Sequence, residues 1–411
     1  MNTYEHIIEL DNIREAYLEV VQKLEESNRT YRYRAIDGYT LSDYDFISEQ
    51  LIQDIQTEII QEKKITPALE MHIPKRNKPG TRPVYIHTIK ERVKAQAIYR
   101  VIAPIFDDYF SPYLFSYRTS HPHYKAIRTI VRKYKRDPSG YMIIGDISSY
   151  SDIINPDILK QQIKKIGFEQ KVNSLLDLYV DAQLIEKGII SSSPHGIITG
   201  LPITVMFNNL YLDYFDKQIG GQVALYRRVG DDFIAFDTYE NLQSIHKKMV
   251  ALLVNVKIQP EYQKISLQKT SEPFTFLGYL FCNGVISIPH QSIKNIQIHI
   301  RKSLAFYQFN TQQEKVTLFK KKLFQGTSLK HYFIQIIRQY NHVNDVEQIK
   351  FLSQYFYKRV VIYFFGSYSS RNHRKTKKLL KDKKINTPSL MKYYIAFHTG
   401  AYKGKYLKYI K

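Results

Sequence analysis

In the stretch YRRVGDDFIAF, Tyr226 to Phe236, two carboxylates stand side by side between two apolar runs rich in β-forming residues. Gly and Asp suit the positive φ angles of tight hairpins, so the simplest reading of Gly230-Asp231-Asp232 is a turn between two strands. A third carboxylate shifts the balance, because Asp146 closes the strand-like segment YMIIGDI. If these strands are neighbours, three acids meet at one sheet end. Like charges there raise one another's pKa unless a cation lies among them. Mg2+ is the expected ion, since it prefers hard oxygen donors and keeps positions open for water and phosphate. Two such ions about 3.5 to 4 Å apart activate an attacking hydroxyl and stabilise the leaving oxygen of an in-line displacement, which is polymerase chemistry.

The elements that must position these acids are legible in outline. Ile7, Ile8, Leu10, Ile13, Tyr17, Val20, Val21 and Leu24 recur near helical period, predicting a helix over residues 4 to 27. Further helices are expected at about 42 to 63, 90 to 110 and 123 to 136. Between the second and third lies HIPKRNKPGTRPVYI, whose Lys-Pro-Gly predicts a turn between two short extended arms. YMIIGDI, ALYRRV, FIAF and FTFLGYLF are the strand candidates. The fold class is therefore α+β, with no visible internal repeat.

Composition narrows the partners. The chain has 411 residues, 60 Lys+Arg against 38 Asp+Glu, a net charge of +22, 44% hydrophobic content and 34 Tyr. Such a chain folds around a substantial core in two or more subdomains and attracts a polyanion, either nucleic acid or an anionic membrane surface. The opening MNTYEHIIELDNIREAY carries acids where a signal peptide needs basic and then apolar residues, and even VVIYFF is too short to cross a bilayer. Cys282 is the only cysteine, which excludes an internal disulfide and a Cys-paired zinc site. A reducing cytoplasm is expected. Residues 371 to 411 hold 13 Lys and Arg against one acid. That run reads either as a solvated tail or, given the interleaved Tyr393, Tyr394, Phe397, Tyr402, Tyr406 and Tyr409, as a surface that stacks on bases while neutralising phosphates. HPH (His121, His123) reads as a turn, His195 as a packing or nucleic-acid residue, and Cys282 as a small core residue.

GDISSY, GIITGLPITVMFNNLYL, YRRVGDDF, LQKT and FTFLGYLF occur in the order and spacing of reverse transcriptase palm motifs and most resemble the group II intron lineage. Upstream, NIREAYLEV, RAIDGYTL, IPKRNKPGTRPVYI, IKERVKAQAIYRVIAPIF and LFSYRTS look like that lineage's N-terminal extension and fingers, so the resemblance covers roughly residues 10 to 290. It implies a right-hand polymerase: a helical N-terminal extension (1–60), fingers (61–135), a palm (136–290) with a fingers-like helical insertion at about 156–190, a helical thumb (291–365) and a basic C-terminal segment (366–411).

The same resemblance implies residue roles. Asp146 and Asp231 would ligate both metals, together with the backbone of Ile147, and Asp232 would complete the acidic site. Two Mg2+ ions are implied, with Mn2+ as a substitute. Arg82 and Lys75 would hold the incoming deoxynucleoside triphosphate, where a forked guanidinium suits phosphate oxygens. Arg118 occupies the fingers arginine position, with a structural ion-pair role as the alternative. Gly196 and Gly200 would let the backbone approach the nascent base pair. Lys269 stands as a possible acid for pyrophosphate departure or as a surface lysine. Phe276, Leu277 and Gly278 resemble the primer-grip hairpin.

Departures from the family pattern carry their own expectations. Ile198, Thr199, Thr204 and Val205 occupy the family's Pro, Gln, Ser and Pro positions, which puts template positioning in doubt. Ser151 replaces the aromatic that excludes a 2′-hydroxyl, with Tyr150 beside it as a potential substitute. Val229 and Gly230 replace the usual Tyr-Ala. The single cysteine argues against an HNH endonuclease module, the Val-Thr-Gly of retron enzymes is absent after Phe281, and diversity-generating enzymes stay in play. The outline is similar to the stand-alone reverse transcriptases of bacterial antiphage defence. The implied partners are a structured noncoding RNA, a DNA product or RNA:DNA hybrid, and a second copy or second protein, with no membrane. Alternatives are template-independent or tyrosine-primed synthesis, and a non-catalytic RNA-binding scaffold.

Overall fold

In a computed structural model, which describes residues 2–26, 36–74, 80–192, 196–259, 262–305, 311–325 and 328–399, the apolar period of the first sixty positions folds as four helices. These are α1 (Thr3–Ile8), α2 (Leu10–Glu26), α3 (Leu41–Phe46) and α4 (Ser48–Ile60). Thr40 starts α3 with a capping box, its hydroxyl accepting from Asp43 N–H while the Asp43 carboxylate accepts from Thr40 N–H. Two extended arms, β1 (Ala68–Pro74) and β2 (Thr81–Ile86), follow as an antiparallel pair, and then the long α5 (Ile89–Tyr109). Ile7, Ile13, Ala16, Ile55 and Ile59 are buried in the same core as Val93, Ala97 and Ile102 of α5.

A charged cluster joins α4 to α5. Glu58 accepts from Lys63 (2.8 Å), Lys90 (2.7 Å) and Lys94 (3.2 Å), and Lys94 also reaches Glu91 at 3.1 Å. Burial alone would raise the Glu58 pKa, but the three ammonium groups override it and hold the carboxyl down to about 2. A carboxylate depressed in the folded state contributes stability that is present above its unfolded value and is lost as pH falls through the folded one. The urea midpoint should therefore drop between about pH 5 and pH 2. In Glu58→Gln that slope becomes shallower, a difference read from parallel urea titrations.

The chain continues through α6 (His123–Arg136), β3 (Tyr141–Ile147), α7 (Tyr150–Ile153), α8 (Pro156–Lys164), α9 (Gln170–Val180), β4 (Gln183–Glu186) and β5 (Ile189–Ser192). The segment expected to be a helical insertion is thus two helices and a hairpin. Its β4 pairs in parallel with β1, giving a four-stranded sheet of order β2-β1-β4-β5. Both extra strands have only four residues, too short for alternation to show against the helical background.

The second sheet positions the acids. After α10 (Pro202–Tyr211) and α11 (Asp213–Gly220) come the hairpin strands β6 (Leu225–Val229) and β7 (Asp232–Asp237), α12 (Tyr239–Asn255) and β8 (Gln263–Lys269). These strands assemble in the order β6-β7-β3-β8, every neighbouring pair antiparallel. Ile143, Phe233, Ala235 and Tyr226 are buried in a core shared with Phe207 and Leu210 of α10, Phe215 and Ile219 of α11, and Leu242, Met249 and Leu253 of α12. On the opposite face of β6, Arg227 donates to Thr129 of α6 at 3.0 Å, so helices flank both faces of this antiparallel sheet and the mixture is of the expected α+β class.

Chain contacts divide the protein into two compact units, residues 1–269 and 270–411. The boundary falls about twenty residues before the expected end of the palm at 290. The reason lies in β9 (Phe274–Phe276), β10 (Tyr279–Cys282) and β11 (Val285–Ser287), a three-stranded sheet of the second unit. Ile286 N–H donates to Asn344 Oδ1 (2.7 Å), Ile288 N–H to Gln348 Oε1 (2.8 Å) and the Tyr279 hydroxyl to Gln339 O (2.5 Å). The small sheet is thereby tied to the helices that follow, α13 (His290–Ser303), α14 (Gln312–Phe324), α15 (Leu329–Gln339) and α16 (Val346–Phe365).

The basic C-terminal stretch is not a solvated tail as far as His398. It forms α17 (Ser370–Asp382) and α18 (Leu390–His398), and α18 is docked by Tyr394, whose buried hydroxyl donates to Val343 O at 3.0 Å. Tyr394 is therefore unavailable for base stacking, whereas Phe397 is exposed. Tyr402, Tyr406 and Tyr409 lie outside the described residues, as does His195. Cys282 is half-buried in β10. Among the described residues no helix is long and apolar enough to cross a membrane.

Candidate active site

Asp231 and Asp232 are carried by a two-residue hairpin turn between β6 and β7, closed by the pairing of Val229 with Asp232. Gly230 takes the first turn position at φ 67°, where a side chain is disfavoured and the strand twist is best matched. The turn reading and the acidic-site reading thus describe one object. In the β3–β7 register Gly145 faces Phe233, so the next step sets Asp146 across from Asp232. On its other side Asp146 pairs with Lys264 of β8, and Lys264 Nζ lies 3.5 Å from Asp146 Oδ2. The strands that carry the three acids are neighbours, and the acids meet at one sheet end. Burial and then the charges of Asp231 and Asp146 push Asp232 up to about 7, and burial with the Asp146 charge also raises Asp231.

The turn is held from behind by a buried network that the sequence reading did not anticipate. Arg228 and Asp216 are both completely buried, with Nε 2.8 Å and Nη2 2.8 Å from the carboxylate oxygens. Burial alone would lower the Arg228 pKa, but Asp216 against it reverses this and keeps the guanidinium charged. The remaining donors of Arg228 reach Gly230 O (2.7 Å) and Asn209 O (2.9 Å). Ser116 Oγ accepts from Gly230 N–H at 3.0 Å and donates to Asn209 Oδ1 at 2.8 Å, while Asn209 Nδ2 donates to Ser116 O at 2.9 Å. Both backbone polar groups of Gly230 are thereby fixed. A signal did exist, because Tyr226 and Arg228 share the core-facing parity of β6 and an arginine there requires a buried carboxylate.

The arm that follows Asp146 is anchored to the same helix. Tyr150 is buried and its hydroxyl donates to Asn208 O at 2.7 Å, while Asn208 Nδ2 donates to Ser151 Oγ at 3.2 Å. Tyr150 is therefore committed to the core and does not substitute for the missing aromatic at position 151. Asn208 holds the Asp146 arm and Asn209 the Asp231 turn, so α10 ties the two together.

Gly196 serves a different purpose from the one expected. A Cβ there would lie 1.9 Å from Ser151 O, and Ile197 N–H donates to that same oxygen at 3.0 Å. Its freedom is used for close approach of two chain segments, at φ 65°. Gly196→Ala is expected to cost at least about 2 kcal/mol in urea unfolding, from backbone strain and overlap together. Gly188→Ala, at φ 83° with nothing within 4 Å, is the control and should cost only about 1 kcal/mol. Equal losses would mean that the contact with Ser151 is irrelevant. Gly200 likewise approaches Tyr85 O and the ring of His87, and Thr199 O accepts from His87 Nε2 at 3.0 Å.

The remaining expected residues have varied surroundings. Arg118 is structural: its guanidinium contacts Asp107 Oδ1 (2.5 Å), Asp107 O (2.5 Å) and Ser111 O (2.6 Å), and it is buried. These bonds occupy the fork that phosphate would need. Lys269 pairs with Tyr141, five positions along β3 from Asp146 and thus about 17 Å from the acids, so Lys264 takes the place near them. Arg82 is exposed on β2 with no ion pair among the described residues, and Lys75 lies outside them. Ile147 is fully buried as the last residue of β3. Phe276 is buried, and Leu277 and Gly278 form the two-residue β9–β10 turn with φ of 46° and 79°, all in the second unit. His121 packs edge-on to Phe115 and contacts Ser120 Oγ, with no metal-binding partner among the described residues.

Comparison with known proteins finds distant similarity. No family model matches the chain. The putative COX1/OXI3 intron 1 protein of Saccharomyces cerevisiae is 23% identical over 233 residues, covering 55% of this chain and 27% of that protein. The chain is a distant partial relative of an intron protein. Protein YkfC of Escherichia coli strain K12 is also 23% identical, over 254 residues, covering 52% of this chain and 66% of that protein. Less than two thirds of either relative is spanned.

Proposed function

We propose that this protein is an RNA-directed DNA polymerase of right-hand architecture that copies a dedicated noncoding RNA, with a role in bacterial antiphage defence. The observation that carries the reading is the meeting of Asp146 with the Asp231–Asp232 turn at one sheet end, both tied to α10. The ordered motifs, the distant likeness to an intron protein and the charge of +22 support it.

The donor set suits Mg2+. Among the described residues no three His, Cys, Asp or Glu side chains close into an ion cage. Mg2+ does not require one, because it is commonly held by one or two carboxylates with water and substrate phosphates. Asp146, Asp231 and Asp232 would hold it. When bound, it supplies activation of the attacking hydroxyl and charge stabilisation at the leaving oxygen. In the reaction the primer 3′-oxygen bonds to the α-phosphorus, the bond from that phosphorus to the bridging oxygen breaks, pyrophosphate leaves and the hydroxyl proton is lost. The chain's own contribution is positional: the Arg228, Ser116 and Asn209 network fixes the turn, and Lys264 neutralises Asp146 until substrate arrives.

Purification of the protein with its bound nucleic acid, addition of labelled deoxynucleotides and Mg2+, and sequencing of RNA and product test this reading. A DNA complementary to one co-purifying RNA is expected. A product that matches no RNA would overturn it.

A further inference from the structure

α6 carries a second feature that the acidic site does not use. Its apolar residues Ala126, Ile127, Ile130, Val131 and Tyr134 are buried, and its exposed side chains are Arg128, Arg132, Lys135 and Arg136, with His123 and Tyr124 in the first turn. Arg128, Arg132, Lys135 and Arg136 are exposed and make no ion pair among the described residues, whereas Lys133 is paired with Asp137. Their spacing of four, three and one residues forms a stripe about 12 Å long on one side of the helix. Helix electrostatics accounts for cations in the last turn, but Lys125 in the first turn opposes the dipole and no acid is there to offset it. A solvated face with only a solubility role would mix both signs.

We infer that this face of α6 binds the phosphate backbone of double-helical RNA. The buried apolar side excludes insertion into a bilayer interface, which requires an exposed apolar face. Single-strand recognition uses successive aromatic platforms, and this face has one exposed ring, Tyr124 at its N-terminal end, against four cations unpaired among the described residues, whereas duplex RNA is recognised largely through its phosphates and shape. The C-terminal end of the stripe lies away from the acids. α6 ends five residues before Tyr141, and β3 then runs about 17 Å to Asp146, so the last turn of α6 adjoins the sheet end opposite the acids. A structured RNA could dock here while another part of it occupies the acidic end. The inference shares with the proposed function only the class of partner, and binding is measured without nucleotide addition.

The test uses the full chain and a fluorescent 24-base-pair RNA duplex, with anisotropy recorded over a series of KCl concentrations and no nucleotides present. The variant Arg128→Gln, Arg132→Gln, Lys135→Gln and Arg136→Gln is compared with a charge-matched control, Lys64→Gln, Lys165→Gln, Lys187→Gln and Lys247→Gln, whose residues are exposed elsewhere on the first unit. If each of the four cations contacts one phosphate, the slope of log K against log salt becomes shallower by about 3 to 4 in the α6 variant. The control should keep most of the original slope. Equal losses in both variants would reduce the effect to overall charge and overturn the inference, as would an unchanged slope in the α6 variant. Loss of binding to anionic phospholipid vesicles with duplex binding intact would assign the face to a membrane instead. Retained extension activity on a short primed template, alongside weakened duplex binding, would separate this surface from the catalytic reading.

Discussion

Replacing Asp231 and Asp232 together by alanine should lower nucleotide addition by a factor on the order of 10^4 or more if, as proposed, these carboxylates hold ions that stabilise several kcal/mol of transition-state charge. The fold should survive. Both side chains sit at a turn, and the contacts that hold this turn come from Gly230 backbone atoms and Arg228. Burial and mutual repulsion already raise both acids, so their removal relieves like-charge crowding and the melting midpoint without divalent ion holds or rises. Activity is read by primer extension and stability by calorimetry on the same preparations. Asp146→Asn should behave alike, with Lys264 left without its partner. Retention of more than a tenth of the activity in the double variant would remove these acids from the chemistry.

The second large effect concerns the clamp. Arg228→Met should destabilise the protein by about 3–5 kcal/mol, since Asp216 would remain completely buried without its counter-charge. Combining it with Asp216→Leu should recover much of that loss, because an apolar pair can replace a buried ion pair at little net cost. Activity should not recover with stability, since Gly230 O and Asn209 O still lack their donor and the Asp231 turn is loosened. Urea unfolding and extension rates across this double-mutant cycle separate the two outcomes. If activity returned in step with stability, the network would be structural only.

These residues also mark the limits of sequence reading. The acids, the hairpin and the strands that carry them were legible because Gly-Asp-Asp and Gly-Asp each end an apolar run. The helical segments expected over residues 4 to 27, 42 to 63, 90 to 110 and 123 to 136 were legible, but not the breaks at Glu9 and Ile47 that split the first two into α1 and α2 and into α3 and α4. Arg118 was not, because an arginine in a loop carries no local sign of whether it faces substrate or Asp107; only the folded loop brings Ser111 O and Asp107 to it. The misplaced role of Lys269 came from register, since β8 runs antiparallel to β3 and its start, not its end, lies beside Asp146. Gly196 was read as room for substrate, when the chain itself fills that room. The short strand β4 escaped because its parallel partner β1 lies more than a hundred residues upstream, a pairing that no local pattern encodes, and β5 escaped because its four residues are paired with β4 alone.

The most direct measurement offers the protein one deoxynucleotide at a time on a DNA primer annealed to RNA of defined sequence, with Mg2+ present. Addition of only the nucleotide complementary to the next RNA base, abolished in the Asp231→Ala and Asp232→Ala variant, is the predicted result. Addition of every nucleotide irrespective of the template base, or none by a wild-type protein shown to bind the primer-template, would contradict it.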